Sequence, residues 1–250
     1  MSLVQDLVLI ITGSASGIGL ATATAALDNG AKVLGVDISS LPDSLSTKPN
    51  FKFLKGNLTD ESVIKHVVDT CIREFGGRID GLLNIAGIMD HNGSVDSLSN
   101  EMWDRCISVN LTAPVRLMRE VIPTMREQKN GSIVNVGSKA ATSGAASGVA
   151  YTARATKNVA WRYKQEGIRC NAVCPGGVPT GIVQASDPTQ WDTDALQTMS
   201  PVHQAHAADR PKGFGVEPDD IVQCILFLVS NHSKRINGAV IPVDNAWSVI

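Results

Sequence analysis

An apolar run, Leu7 to Ile11, ends in Thr12-Gly13-Ser14-Ala15-Ser16-Gly17-Ile18-Gly19, and a helical pattern continues over Gly17–Asn29. Glycines also serve ordinary turns, so the turn gains meaning from its setting: it leaves a strand and opens a helix. There, backbone N–H groups and the positive end of the helix dipole can face a pyrophosphate. Gly13 permits the tight turn, Gly17 the close approach of phosphate and Gly19 the packing of helix on sheet, with Ser16 and Ile18 between them.

The same alternation continues along the chain. Strands are predicted at Leu7–Ile11, Lys32–Val36, Phe51–Leu54, Gly81–Asn84, Ser132–Val136, Ile168–Val173 and Ala239–Val243. Helices are predicted at Gly17–Asn29, Asp60–Phe75, Ser99–Val109, Ala113–Gln128, Tyr151–Gln165 and Glu217–Ser230, the second with Asp60 as its N-cap and Gly76-Gly77 as its stop. Short β-branched runs alternating with amphipathic stretches predict an α/β fold: a doubly wound, mainly parallel seven-stranded Rossmann-like sheet with helices on both faces. The 250 residues suffice for one such domain, spanning 1–250.

Composition narrows the partners. Net charge is −2 and no basic block occurs, which argues against nucleic acid and for small molecules. No apolar stretch is long enough for a bilayer, so the expectation is a cytoplasmic protein without membrane contact. Cys71, Cys106, Cys170, Cys174 and Cys224 are odd in number and scattered, a pattern of buried thiols rather than of disulfides. His203 and His206 lack a carboxylate partner in a recognisable motif, and no metal is assigned. Residues 176–216, rich in Pro, Gly, Asp and Gln, form a long segment expected to be a substrate lid, with Trp191, Met199 and His203 as candidate pocket residues and surface packing as the alternative.

Eighteen residues after Gly19, at the end of the second strand, stands Asp37, followed by Ile38. A carboxylate there accepts both ribose hydroxyls of an adenosine and repels a 2′-phosphate, and no Arg or Lys lies within the turn to offset it. NAD is therefore the expected cofactor.

Taken with Asn84-Ile85-Ala86-Gly87, Asn110, Ser138, Tyr151 and Pro175-Gly176-Gly177-Val178-Pro179-Thr180 in this order, the chain resembles the short-chain dehydrogenase/reductases over nearly its whole length. The resemblance implies that Asn84, Ala86 and Gly87 brace the sheet beside the cofactor, and that Asn110 supports a water in a proton relay. It further implies that Pro175, Gly176, Val178 and Thr180 hold the nicotinamide amide and that Asn57 and Leu58 flank the adenine, Asn57 standing where the family often has Asp. The catalytic set it implies is Asn110, Ser138 and Tyr151, acting on a small alcohol or carbonyl substrate. It also implies a homo-oligomer, a tetramer or dimer, built through the helices Ala113–Gln128 and Tyr151–Gln165 and the last strand.

The chemistry needs more than these residues. A phenol of pKa about 10 acts as a base near neutrality only if a positive charge stabilises its anion. The family supplies a lysine four residues after the tyrosine; here that position is Ala155, in Tyr151-Thr152-Ala153-Arg154-Ala155-Thr156-Lys157. Arg154 falls about 100° short of the required direction and Lys157 lies well round from it. Between Tyr151 and Gly167-Ile168-Arg169-Cys170-Asn171 the chain is about six residues shorter than the family pattern, so the lysine reads as deleted. Six residues are about 9 Å of helix and about 120° short of whole turns. If the helix is anchored at its C-terminal end, Tyr151 leaves its place; if Tyr151 stays beside Ser138, the helix must be rebuilt downstream. Three readings stand: a molecule that contains a segment the sequence omits, an active enzyme in which Arg154 or another cation substitutes, and a protein that binds NAD without efficient turnover, as a sensor or assembly subunit.

Overall fold

The computed structural model describes residues 2–93, 96–139, 153–182, 191–194, 197–198, 200–201, 204 and 216–247, with side chains at 153 and 154 left undescribed. Its strands are β1 (Val8–Thr12), β2 (Lys32–Asp37), β3 (Phe51–Lys55), β4 (Gly81–Asn84), β5 (Gly131–Val136), β6 (Ile168–Pro175) and β7 (Val240–Val243). All pair in parallel in the order β3-β2-β1-β4-β5-β6-β7. The chain winds outward from β1 to β3, then returns to β1's other side with β4. That reversal opens a crevice at the carboxyl ends of β1 and β4, where open α/β sheets bind ligands.

β1 is apolar along its length up to Thr12 because both faces are covered, and all five residues are buried. One face carries α3 (Glu61–Glu74), α5 (Ala113–Gln128) and α6 (Ala153–Tyr163); the other carries α1 (Gly17–Asp28) and α7 (Pro218–Val229). A single turn, α2 (Asp43–Ser46), lies between β2 and β3. Helix α3 buries Ile64, Val67, Val68 and Cys71, the i, i+3, i+4, i+7 stripe of an amphipathic helix, and the Asp60 carboxylate accepts from the Ser62 N–H at its start, as expected. Fully burying each such aliphatic chain is worth about 1.5–3 kcal/mol. Arg169 ties the far end of α7 to the sheet by donating to the carbonyls of Leu228 (2.8 Å) and Ser230 (2.9 Å), and burial lowers its pKa.

Two boundaries differ from the sequence reading. The helix expected at Ser99–Val109 is α4 (Asn100–Ile107), and it does not stop: a π-helical turn, Ser108–Thr112, joins it to α5. Ala113 N–H reaches back five residues to the Ser108 carbonyl, and Pro114 has no N–H to offer the Asn110 carbonyl, so the α-helical ladder shifts at this point. The helix expected at Tyr151–Gln165 ends sooner, giving way to a 3-10 turn (Lys164–Glu166) and Gly167 at φ 76°. No helix among the described residues is long and apolar enough to cross a membrane.

Candidate cofactor and active site

The glycine turn is fixed by contact on every side. A Cβ on Gly13 (φ 70°) would stand 2.9 Å from Ala86 Cα, one on Gly17 (φ 51°) 3.0 Å from Thr180 Cβ, and one on Gly19 2.0 Å from the Gly13 carbonyl oxygen. The turn, the segment after β4 and the segment after β6 therefore touch one another. Ser16 occupies the N-cap of α1 with extended backbone and no side-chain cap bond, and the first turn of the helix holds no acid. These N–H groups are left for an anion.

Asp37 ends β2. Its carboxylate accepts from Ala15 N–H at 2.9 Å and from Ser39 N–H at 2.8 Å, which sets both oxygens at the mouth of the turn, and Ile38 beside it is exposed. Two carboxylate oxygens retain further lone pairs for a diol. The register of β2 on β3 sets Asp37 beside Lys55, an exposed lysine whose Nζ lies 3.3 Å from Ser40 Oγ. This cation stands outside the turn in sequence, and only strand pairing brings it near. Asn57 is exposed, with Oδ1 accepting from Thr59 N–H at 3.1 Å, and Leu58 packs into the core beneath.

Thr12 Oγ1 accepts from the N–H groups of Ile85 (2.9 Å) and Ala86 (3.0 Å), fastening the segment after β4 to the turn. Asn84 donates through Nδ2 to Asn135 Oδ1 (2.8 Å), while its buried Oδ1 has no partner among the described residues. Asn110 sits in the π-helical turn and pairs twice with Ile88, accepting its N–H at 2.9 Å and donating to its carbonyl at 3.0 Å; Gly87 lies against the same oxygen. Beyond Ile88 come Asp90, His91 and Asn92, all buried polar residues, with His91 and Asn92 left-handed at φ 56° and 59°. Each such conformation costs about 1–2 kcal/mol in a non-glycine residue. Asp90 stabilises the turn by accepting Asn92 N–H at 3.1 Å, and burial raises the pKa of its carboxyl.

Ser138 comes directly after β5 and Gly137, half-buried, and its backbone hydrogen-bonds the Cys174 thiol on β6, whose pKa burial pushes up to about 11. Lys139, the next residue, is 5% exposed and its Nζ lies 4.0 Å from the centre of the Trp247 ring. Pro175 closes β6. Gly176 N–H donates to the Val243 carbonyl at 3.0 Å, and a Cβ there would stand 2.9 Å from Asp244 Cβ and 3.2 Å from Trp247 Cε3. Val178 joins the core layer of α1 and α7. The other cysteines are free and, apart from half-buried Cys224, buried, with Cys71 and Cys170 pushed up to about 12.

Tyr151 lies outside the described residues, as do Met199, His203, His206 and most of 176–216. The helix beyond Tyr151 is firmly held from Ala155 onward. Thr156 is fully buried and its Oγ1 accepts from Asn135 Nδ2 at 3.1 Å; Val159 and Ala160 are buried, Ala155 packs on the same core, and Asn237 Nδ2 donates to the Ala160 carbonyl at 3.2 Å. The helix is anchored by its C-terminal part. Among the described residues no group of three or more His, Cys, Asp or Glu could hold a metal.

Sequence reasoning missed Lys55, the Lys139–Trp247 contact and the pairing of His91 with Trp191. Each joins residues far apart in sequence, and a lysine directly after the serine was the one local signal available.

The family model described as Enoyl-(Acyl carrier protein) reductase matches residues 13–248. The short chain dehydrogenase adrF of Penicillium roqueforti is 76% identical over 256 residues, covering 100% of both chains. Asnovolin H dehydrogenase nvfC of Aspergillus novofumigatus is 65% identical over 257 residues, again covering 100% of both. Among solved structures, levodione reductase superposes with a TM-score of 0.85 at 30% identity, covering 98% of each chain. This Rossmann fold implies a nicotinamide dinucleotide cofactor, and the glycine cradle, the uncapped helix start and the Asp37 carboxylate suit one. The chain belongs to the short-chain dehydrogenase/reductase family of oxidoreductases.

Proposed function

We propose that the protein interconverts a secondary alcohol and a ketone with NAD(H). The observation that carries the cofactor choice is Asp37, whose two oxygens are held at the turn by Ala15 and Ser39 N–H groups where an adenosine ribose would lie. When bound, the nicotinamide supplies hydride transfer. Gly13, Ser16, Gly17, Ile18 and Gly19 would line the pyrophosphate, Asp37 and Ile38 the ribose, Asn57 and Leu58 the adenine. Asn84, Ala86, Gly87, Pro175, Gly176, Val178 and Thr180 would border the nicotinamide half, together with Tyr151.

In this reading the hydroxyl of Ser138 donates to the substrate oxygen and fixes its direction. Tyr151 takes the hydroxyl proton in oxidation and returns it in reduction. Asn110 passes the proton outward through a water on its backbone carbonyl, its side chain being occupied by Ile88. Tyr151→Phe should reduce alcohol-dependent NADH formation by about two orders of magnitude or more, the scale of general acid–base catalysis. Equal rates in mutant and parent would remove Tyr151 from the mechanism.

A second reading has its own support: the protein binds NAD with impaired turnover, in the role of a sensor or assembly subunit. It rests on the sequence pattern, in which Ala155 stands four residues after Tyr151 where the family has its lysine. NADH binding with no hydride transfer across a panel of ketones and alcohols would favour it; Tyr151-dependent turnover at ordinary rates would end it. An intact mass several residues above the 250-residue value would restore the lysine segment and the first reading with it. The protein is further proposed to work in the cytoplasm as a tetramer or dimer built on α5, α6 and β7.

A further inference from the structure

Strands β4, β5 and β6 lie side by side, so the ends of β4 and β6 stand about 10 Å apart with β5 between them. Ser138 is two residues beyond the last residue of β5. The chain leaving β4 and the chain leaving β6 come together again: the His91 ring stacks on Trp191 with centroids 6.3 Å apart and planes inclined by 23°, and Asp192 N–H donates to the His91 carbonyl at 3.2 Å. Ser97 Oγ adds a hydrogen bond to the Asp192 carboxylate. These contacts join the chain that leaves β4 to the chain that leaves β6, the two strands that flank β5.

His91 is also held more firmly than a loop residue needs to be. Asn110 grips Ile88 three residues before it, Asp90 caps the turn through Asn92 N–H, and His91 and Asn92 are left-handed in succession. A pair of glycines would make the same turn without strain, so the conformation serves the direction of a side chain. We propose that His91 and Trp191 are specificity-determining residues: their stack roofs the pocket over Ser138 and sets the size of ring that enters. A flat aromatic roof above a hydroxyl donor suits an alicyclic or aromatic ketone, with its apolar ring face against the stack and its oxygen at Ser138. The inference rests on the reading of Ser138 as the residue that orients substrate.

The test compares parent, His91→Ala, Trp191→Ala, Trp191→Phe and the double alanine variant. Each is titrated calorimetrically with cyclohexanone, 2-decalone and a steroid ketone, with and without NADH, and NADH affinity is measured separately. Trp191→Ala should change the ratio of large-ring to small-ring affinity tenfold or more while NADH affinity stays within twofold. Trp191→Phe should keep the parent ratio, and the double variant should go no further than Trp191→Ala alone. An unchanged ratio in all variants, a parallel loss for every ketone and NADH, or a parent that binds NADH but no ketone overturns the proposal. A parent that fails to bind NADH overturns the proposed function instead, and the ketone ratios measured without cofactor still decide the roof.

Discussion

The two halves of the crevice are held in different ways. On the β1–β3 side, the glycine turn and Asp37 are placed by backbone: no side chain fits at Gly19, and Ala15 and Ser39 N–H groups fix the carboxylate. On the β5–β6 side, placement depends on side chains, Asn135 with Thr156, Asn237 with the Ala160 carbonyl, Lys139 with Trp247. A change in the first half is felt where it occurs. A change in the second half is absorbed on whichever side is less firmly packed.

The sharpest way to break the first half is Gly19→Ala. Its Cβ would stand 2.0 Å from the Gly13 carbonyl oxygen, so turn and helix must separate. NADH affinity should fall at least 100-fold, about 2.7 kcal/mol, read by fluorescence titration. A loss under threefold would show that the turn does not carry the dinucleotide. Asp37→Ala probes the same half more gently: it removes the carboxylate but leaves Lys55 in register beside the position. NADPH affinity should rise about tenfold relative to NADH, and adding Lys55→Ala should take back part of that gain. An unchanged ratio would mean that Asp37 is not the selector.

The second half is tested by Ala155→Lys, which places a lysine four residues after Tyr151. Because Thr156, Val159 and Ala160 anchor α6, residue 155 packs toward the core beneath the sheet. The variant should lose about 1–3 kcal/mol of stability in urea unfolding, as overpacked sites do, and should gain no turnover. A rise in kcat would show instead that Tyr151 stands in register with position 155 and that the helix is rebuilt downstream.

This contrast also explains what the sequence disclosed. Seven strands of a parallel sheet, the six longer helices between them and the N-cap Asp60 were legible because periodicity and capping are local. The π-helical turn was not, although its cause was visible: Pro114 sits four residues after Asn110, and a proline at that spacing withdraws the N–H that would continue the ladder. At the site, Asp37 could be placed from spacing alone. Lys55 could not, since it meets Asp37 only through the register of β2 on β3, and His91 meets Trp191 only because β4 and β6 flank the same strand.

The smallest effect comes from the loop between the halves. Burial raises the pKa of Asp90, outweighing the N–H groups of Asn92 and of Asp90 itself and the charge of His91, so the folded protein holds that proton more tightly than the unfolded chain. Stability contributed by Asp90 is then greatest in acid and is lost as pH rises from the ordinary carboxylate range through the raised value. Asp90→Asn keeps an oxygen for Asn92 N–H and removes the buried charge. It should be more stable than the parent at pH 7 by on the order of 1 kcal/mol, the scale of one buried hydrogen-bonded group. The difference should close as the pH is lowered below the ordinary carboxylate range. Urea midpoints at pH 7 and pH 3.5 measure both; a variant less stable than the parent at pH 7 would mean that the carboxylate strengthens the turn by more than its burial costs.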